Sequence, residues 1–178
     1  MQKLEGLTLF LIDDKIDSPF DSIFGIARDI YLSKNRFKSI RSSTCKAINW
    51  PKNPGVYVIR DICAEGDQLV YIGMTGKFET NGNFKGKQGL SHRKTRWNPY
   101  RFDYLNNMFK YRPKYERFES KDSAPKNGYE KNISIDQIQI DCFIFERDEK
   151  FAPTFLESLL LQSYLMQYER LPPANNSF

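Results

Sequence analysis

The runs GVYVIRDI and QLVYIGMT, residues 55–62 and 68–75, are dense in β-branched and aromatic side chains and are separated only by CAEGD. The Gly and Asp of that spacer suit a short reversal, so the pair predicts an antiparallel β-hairpin. A chain built round a hairpin is committed to an antiparallel sheet. Strand side chains alternate faces, which groups Tyr57 with Gly55 and Ile59, and Tyr71 with Leu69 and Gly73. Whether the two tyrosines meet on one face depends on register, which these residues do not decide.

Other segments supply elements to flank the hairpin. APTFLESLLLQSYLMQYER is apolar at Leu156, Leu159, Leu160, Leu161, Tyr164, Leu165 and Tyr168, which is helical spacing, and LPPANNSF stops it. DSPFDSIFGIARDIYLSK has a cap at Asp17 or Ser18, Pro19 in the first turn, and apolar residues at helical intervals through Tyr31. The run Leu7 to Ile12 reads as a strand that could extend the sheet. Asn35 to Thr44 is basic and Ser-rich, and WPKNPG ends regular structure with a boundary near Pro54. SIDQIQIDCFIFERD alternates as a strand with one irregular step. GKFETNGNFKGKQG reads as a flexible basic loop, and LSHRKTRW as a short helix starting near Ser91.

These elements predict an α/β (α+β) fold: one domain over residues 1–178, with a small, mainly antiparallel sheet flanked by helices. Residues 1–54 form an N-terminal extension, helical with a candidate extra strand. Residues 55–97 and 135–176 form the core, and 98–134 an insertion. At 178 residues a single core is attainable. The net charge of +5 suits a polyanionic partner without requiring one. Cys45, Cys63 and Cys142 are odd in number and widely spaced, which argues against a disulfide framework or zinc site and for a reducing, cytoplasmic setting. The short run LTLFLI, followed by Asp13 and Asp14, suits neither a leader nor a membrane span.

PGVYVIR, LVYIGMTGK, the arginines of LSHRKTRW, the glutamate of FLESLLL and the following LPPANN, in that order, resemble the GIY-YIG nuclease family. The two motif marks stand as Gly55-Val56-Tyr57 and Tyr71-Ile72-Gly73. The resemblance runs from Pro54 to Asn176, interrupted by an insertion between Asn98 and Ser134. It implies that Tyr71 takes a proton from the attacking water and that Tyr57 helps place that water. A free phenol titrates near ~10, so such a base needs cations about it. Arg93, with Arg96 as the alternative, is similar to the family's phosphate-holding arginine. Trp97 lies one helical turn beyond Arg93, and His92 adjoins it as an assisting group. Glu157 resembles the family's single metal-ligating glutamate, implying one Mg2+ per site. Asn175, or Asn176, resembles an asparagine near the family's C-terminus.

The sequence departs from the family where many relatives carry a lysine three residues after the second tyrosine; here that residue is Met74. Lys77, Lys85 or Lys87 must then supply the charge, Lys85 and Lys87 by folding a Gly-rich loop back over the site. Each residue also has a plain alternative. The tyrosines suit cross-strand packing, Thr154 with Glu157 suits a capping box, His92 suits an exposed helix, and Asn175 suits a simple chain end.

From Lys85 to Phe118 stand ten basic residues against two acidic ones, with eight aromatics from Trp97 onward. A solvated charged face is the usual reading. Beside a phosphodiester site, however, the segment reads as a double-stranded DNA track through Arg96, Trp97, Arg101, Lys110, Arg112 and Lys114. The expectation is therefore a magnesium-dependent, site-specific DNA endonuclease resembling a type II restriction enzyme. A homodimer would make the double-strand cut, and a cognate methyltransferase is expected only for a restriction enzyme. A structure-specific repair or mobile-element nuclease, or a non-catalytic nucleic-acid-binding protein of the same fold, are the alternatives.

Overall fold

In the structure, a computed structural model, the described residues are 29–31, 33, 35–41, 50–65, 69–86, 89–93, 100–113 and 130–175. The strand expected at Leu7 to Ile12 lies outside them, as does most of the first helix, of which 29–31 is helical. Seven strands and one long helix follow: β1 (Phe37–Arg41), β2 (Gly55–Asp61), β3 (Leu69–Thr75), β4 (Tyr100–Asp103), β5 (Met108–Tyr111), β6 (Lys131–Ser134), β7 (Ile138–Ile144) and α1 (Pro153–Tyr168). They form two antiparallel sheets, ordered β1-β7-β2-β3 and β4-β5-β6. Mixed α+β architecture is thus observed.

The hairpin expectation holds, with β2 paired to β3 and Ile59 opposite Tyr71. Its register shifts between Ile59 and Arg60, a bulge that accommodates Val70. β2 and β7 are almost wholly buried, because the larger sheet is covered on both faces. That explains why GVYVIRD and IQIDCFI read as near-continuous apolar runs.

On one face, Val56, Val58, Leu69, Ile72 and Phe143 pack against Leu156, Leu160, Leu161 and Tyr164 of α1. On the other, Tyr57, Ile59, Ile140 and Cys142 meet Tyr100, Phe102, Phe109 and Tyr111 of the smaller sheet. The two sheets therefore share a core. Toward the Gln139 end of the helix-side face, Gln139 Nε2 donates to Asp141 Oδ1 at 2.9 Å. Arg60 Nε lies 2.9 Å from Asp141 Oδ2 with both groups buried. The approach lies off the hydrogen-bond direction, which makes this an ionic contact first.

The structure adds detail to three stretches of the sequence. The basic, Ser-rich stretch after Asn35 contains β1, which pairs with β7 and places Ile40 in the core. The described residues of the insertion form a three-stranded sheet, and its rings Tyr100, Phe102, Phe109 and Tyr111 point inward. The loop after Thr75 is ordered: Phe78 stacks on Phe84 at 4.3 Å between centroids, and Lys150 Nζ donates to Gly82 O. No helix among the described residues is long and apolar enough to cross a membrane.

Candidate functional site

Register decides the relation of the two motif tyrosines. Tyr57 stands opposite Gly73, and Ile59 opposite Tyr71, so both tyrosines project from the same face of the hairpin. Their ring centroids are 5.8 Å apart, tilted by 41°. Tyr57 is 1% exposed, whereas Tyr71 is half-buried. Only Tyr71 of the pair is thus placed to meet a solvent-borne reactant.

Gly73 makes this packing feasible. A Cβ there would stand 2.9 Å from Tyr57 Oη and 2.9 Å from Tyr71 Cζ, and closer still to Tyr71 Cε1. The missing side chain is filled by the tyrosine pair and belongs to the ring packing.

The segment expected to carry the arginine begins as a 3₁₀ turn, Leu90–Arg93, in place of a regular helix. Leu90 N–H donates to Asn53 O, Ser91 N–H to Pro51 O, and the Leu90 side chain is buried among the tyrosine-face residues. The backbone that carries His92 and Arg93 is therefore held against that face. Lys87, Arg96, Trp97 and Lys114 lie outside the described residues. Lys85 and Lys77 are exposed and joined by Lys85 N–H to Lys77 O, at the end of the β2–β3 pair away from the hairpin turn.

On the smaller sheet, Arg101, Lys110 and Asn132 form one cross-strand row on the face opposite the buried rings. Lys110 Nζ is 3.5 Å from Asp103 Oδ2. Asp103 titrates below its ordinary value, first because Asn106 hydrogen-bonds its carboxylate. Arg112 is exposed just beyond β5.

Glu157 belongs to the other side of the sheet. It sits on the stripe of α1 that bears Pro153, Leu160, Leu161 and Tyr164, and is itself half-buried. The capping alternative fails, because the helix begins with Ala152 as its cap and Pro153 at the first turn, with no side-chain cap bond. Met74 shares this side, packed against the helix-side core. Alternation along β3 explains the departure there, since Met74 faces away from Tyr71 and fills apolar space.

Asn175 is the most firmly placed of the expected residues. Its Oδ1 accepts from Ile72 N–H at 3.0 Å and its Nδ2 donates to Ile72 O at 2.8 Å. With Ala174 N–H donating to Val70 O, the C-terminal tail seals the outer edge of β3. This amide positions Tyr71 and Gly73, the two neighbours of Ile72.

No protein-family model, curated protein or solved structure matches the chain. Its chemistry therefore has to be argued from its own residues. No group of three or more metal-ligating side chains stands together among the described residues. The half-buried Glu157 carboxylate fits Mg2+, which keeps several waters and takes one or two carboxylates plus phosphate oxygens. It does not fit a metal that requires a full protein cage.

A cavity of about 560 Å³ bordered by Asp29, Arg36, Glu149 and Phe151 lies on the helix side, away from the tyrosines. Arg36 and Glu149 pair across it. It adds nothing to the tyrosine site.

One residue of the site has no counterpart in the motif reading. Tyr100, from the insertion, donates from its Oη to Tyr57 Oη at 2.9 Å in a buried contact. Its ring lies 5.2 Å from that of Tyr71. The signal was present: YRFD and MFKY alternate aromatic with polar residues on either side of YLNN, a hairpin pattern overlaid by charge.

Proposed function

We propose that this protein is a DNA endonuclease that hydrolyses phosphodiester bonds with Tyr71 as general base. The observation that carries the reading is the tyrosine pair. Two motif phenols lie side by side on one hairpin face, one sealed and one reaching solvent, with the arginine-bearing turn held on the same face. In this reading the Tyr71 phenolate takes a proton from water as the water oxygen bonds to phosphorus and the bond to the 3′ oxygen breaks, that oxygen leaving with a proton from solvent. Arg93 holds the non-bridging oxygens with paired hydrogen bonds as charge builds on them. Glu157 is the residue to hold Mg2+, which supplies charge stabilisation at the phosphate and the departing oxygen when bound. The row of Arg101 and Lys110, with Arg112, tracks the backbone of double-stranded DNA.

Within this class a type II restriction enzyme is the finer reading. A basic inserted sheet offers recognition surface beside the site, and a homodimer places one site on each strand. A cognate methyltransferase is then the expected partner.

A non-catalytic DNA-binding protein is the second reading. The observation in its favour is that Glu157 and Tyr71 belong to opposite faces of the sheet, with the C-terminal tail covering the β3 edge between them. Plasmid digestion with Mg2+ and with EDTA decides between them. Discrete fragments from the wild type, abolished in Tyr71→Phe, Arg93→Ala and Glu157→Ala, support the restriction enzyme. A smear without site preference points to a repair-type nuclease. DNA binding without nicking, unchanged in Glu157→Ala, establishes the binding protein.

A further inference from the structure

We propose that Tyr100, supplied by the inserted sheet, is a positioning residue for Tyr71 that acts through the hydroxyl of Tyr57. This rests on the nuclease reading. Tyr57 is fixed on every side by buried groups: Trp50 meets its ring edge-on at 6.3 Å, Cys142 is its β7 partner, and Tyr100 crosses it at 6.2 Å and 71°. Its oxygen accepts a hydrogen bond from the Tyr100 hydroxyl. A phenol that accepts from one neighbour must point its own proton elsewhere.

The space over Gly73 defines where that is. Tyr57 Oη and Tyr71 Cζ each lie 2.9 Å from the same missing Cβ, so the Tyr57 hydroxyl and the oxygen-bearing carbon of Tyr71 share the space over Gly73. In the proposed order, Tyr100 to Tyr57 to Tyr71, the Tyr57 hydroxyl donates toward the oxygen that must gain negative character to act as a base. Tyr100 also supports the Tyr71 ring directly, tilted 53° to it. Tyr71 is thereby held in one orientation although it is half open to water.

Few other ionisable groups share this face among the described residues. From β2 there is Asp61, whose Oδ1 accepts from Cys63 N–H. From β7 there is Cys142, whose thiol burial keeps protonated. From the smaller sheet there are Tyr111 and Tyr104, and the 3₁₀ turn brings the backbone of His92 and Arg93. The β3 edge is met by Asn175, which is neutral. Arg60, Asp141 and Glu157 belong to the other face.

The test uses Tyr100→Phe, which keeps the ring and removes the donor, alongside Tyr57→Phe and the double variant. Phenolate formation is followed by ultraviolet absorbance across alkaline pH, with the Tyr71 signal assigned by its loss in Tyr71→Phe. Tyr100→Phe should raise the pH at which Tyr71 ionises, so that its phenolate fraction falls about tenfold below that point, on the scale of one hydrogen bond to a charged group. Tyr57→Phe should do the same, and the double variant should add little to either. Cleavage below the limb should lose a similar factor in kcat with KM unchanged, and recover at higher pH.

An unmoved Tyr71 titration in folded Tyr100→Phe overturns the inference whatever the activity. So do fully additive effects in the double variant. Absence of cleavage by the wild type, with the titration shifted as stated, overturns the nuclease reading alone.

Discussion

Asn175→Ala removes both partners of the Ile72 backbone at the outer edge of β3, and the two lost bonds set the cost. Each is buried, at 3.0 and 2.8 Å, and Asn175 itself is 8% exposed. A buried backbone group left unsatisfied costs roughly 1–3 kcal/mol. The tail can loosen and admit some water, so the variant should lose roughly 2–4 kcal/mol. In a chain of this length that lowers Tm by about 4–16 °C.

Asn175→Asp separates the two bonds. The carboxylate still accepts from Ile72 N–H but turns an oxygen against Ile72 O, so at neutral pH it should be at least as damaging as alanine. Burial and the facing carbonyl favour the protonated acid, raising its folded pKa. Folded protein then binds more protons than unfolded, and the variant should recover stability relative to wild type as pH falls through that folded value. Urea unfolding at several pH values reads the free energies, and hydrogen exchange at the Ile72 amide reads the local opening. A loss below about 0.5 kcal/mol in Asn175→Ala, the scale of an ordinary surface change, would refute the clamp. So would an aspartate milder than alanine at neutral pH.

Gly73→Ala should displace the Tyr71 ring, since the new Cβ meets it and Tyr57 Oη within van der Waals contact. The expected loss is about 1–3 kcal/mol, typical of overpacking, with a changed near-ultraviolet tyrosine spectrum; an unchanged spectrum counts against the packing described. Asp141→Asn leaves the Arg60 guanidinium buried without its counter-charge. Chemical denaturation should show a loss of about 3–5 kcal/mol, and a loss near zero would mean that water reaches the pair. Burial, reinforced by Asp141, pushes the Cys142 thiol far above its ordinary value, while Cys63 is exposed. Iodoacetamide on native protein should therefore alkylate Cys63 and spare Cys142 until unfolding, and equal rates would contradict this core.

The hairpin and α1 were legible because their signals are local. Val, Ile and Tyr crowd two short runs round a Gly-bearing turn, and the leucines of α1 repeat at helical spacing. β1 was hidden because Lys38 and Ser39 are exposed and, of its described side chains, only Ile40 is fully buried, with Phe37 half-buried against Phe143. The smaller sheet was hidden by its charges: Arg101 and Lys110 dominate the composition, while the rings between them do the packing. Asn175 looked like the end of a chain. Its importance comes from Ile72, too distant in sequence for any local pattern to reveal.

By itself the sequence determined the hairpin, the C-terminal helix and the short list of residues with chemistry to offer. The tertiary structure decided which of them share a face. Tyr57 and Tyr71 meet because β2 and β3 pair in one register out of two, and a slip by one residue would separate them. Glu157 and the Met74 side chain lie on the other face of the sheet, and Tyr100 arrives from an insertion. Periodicity is written within a few neighbouring residues, whereas register and packing join distant ones. The candidate base is therefore readable as a motif, and its surroundings only as a fold.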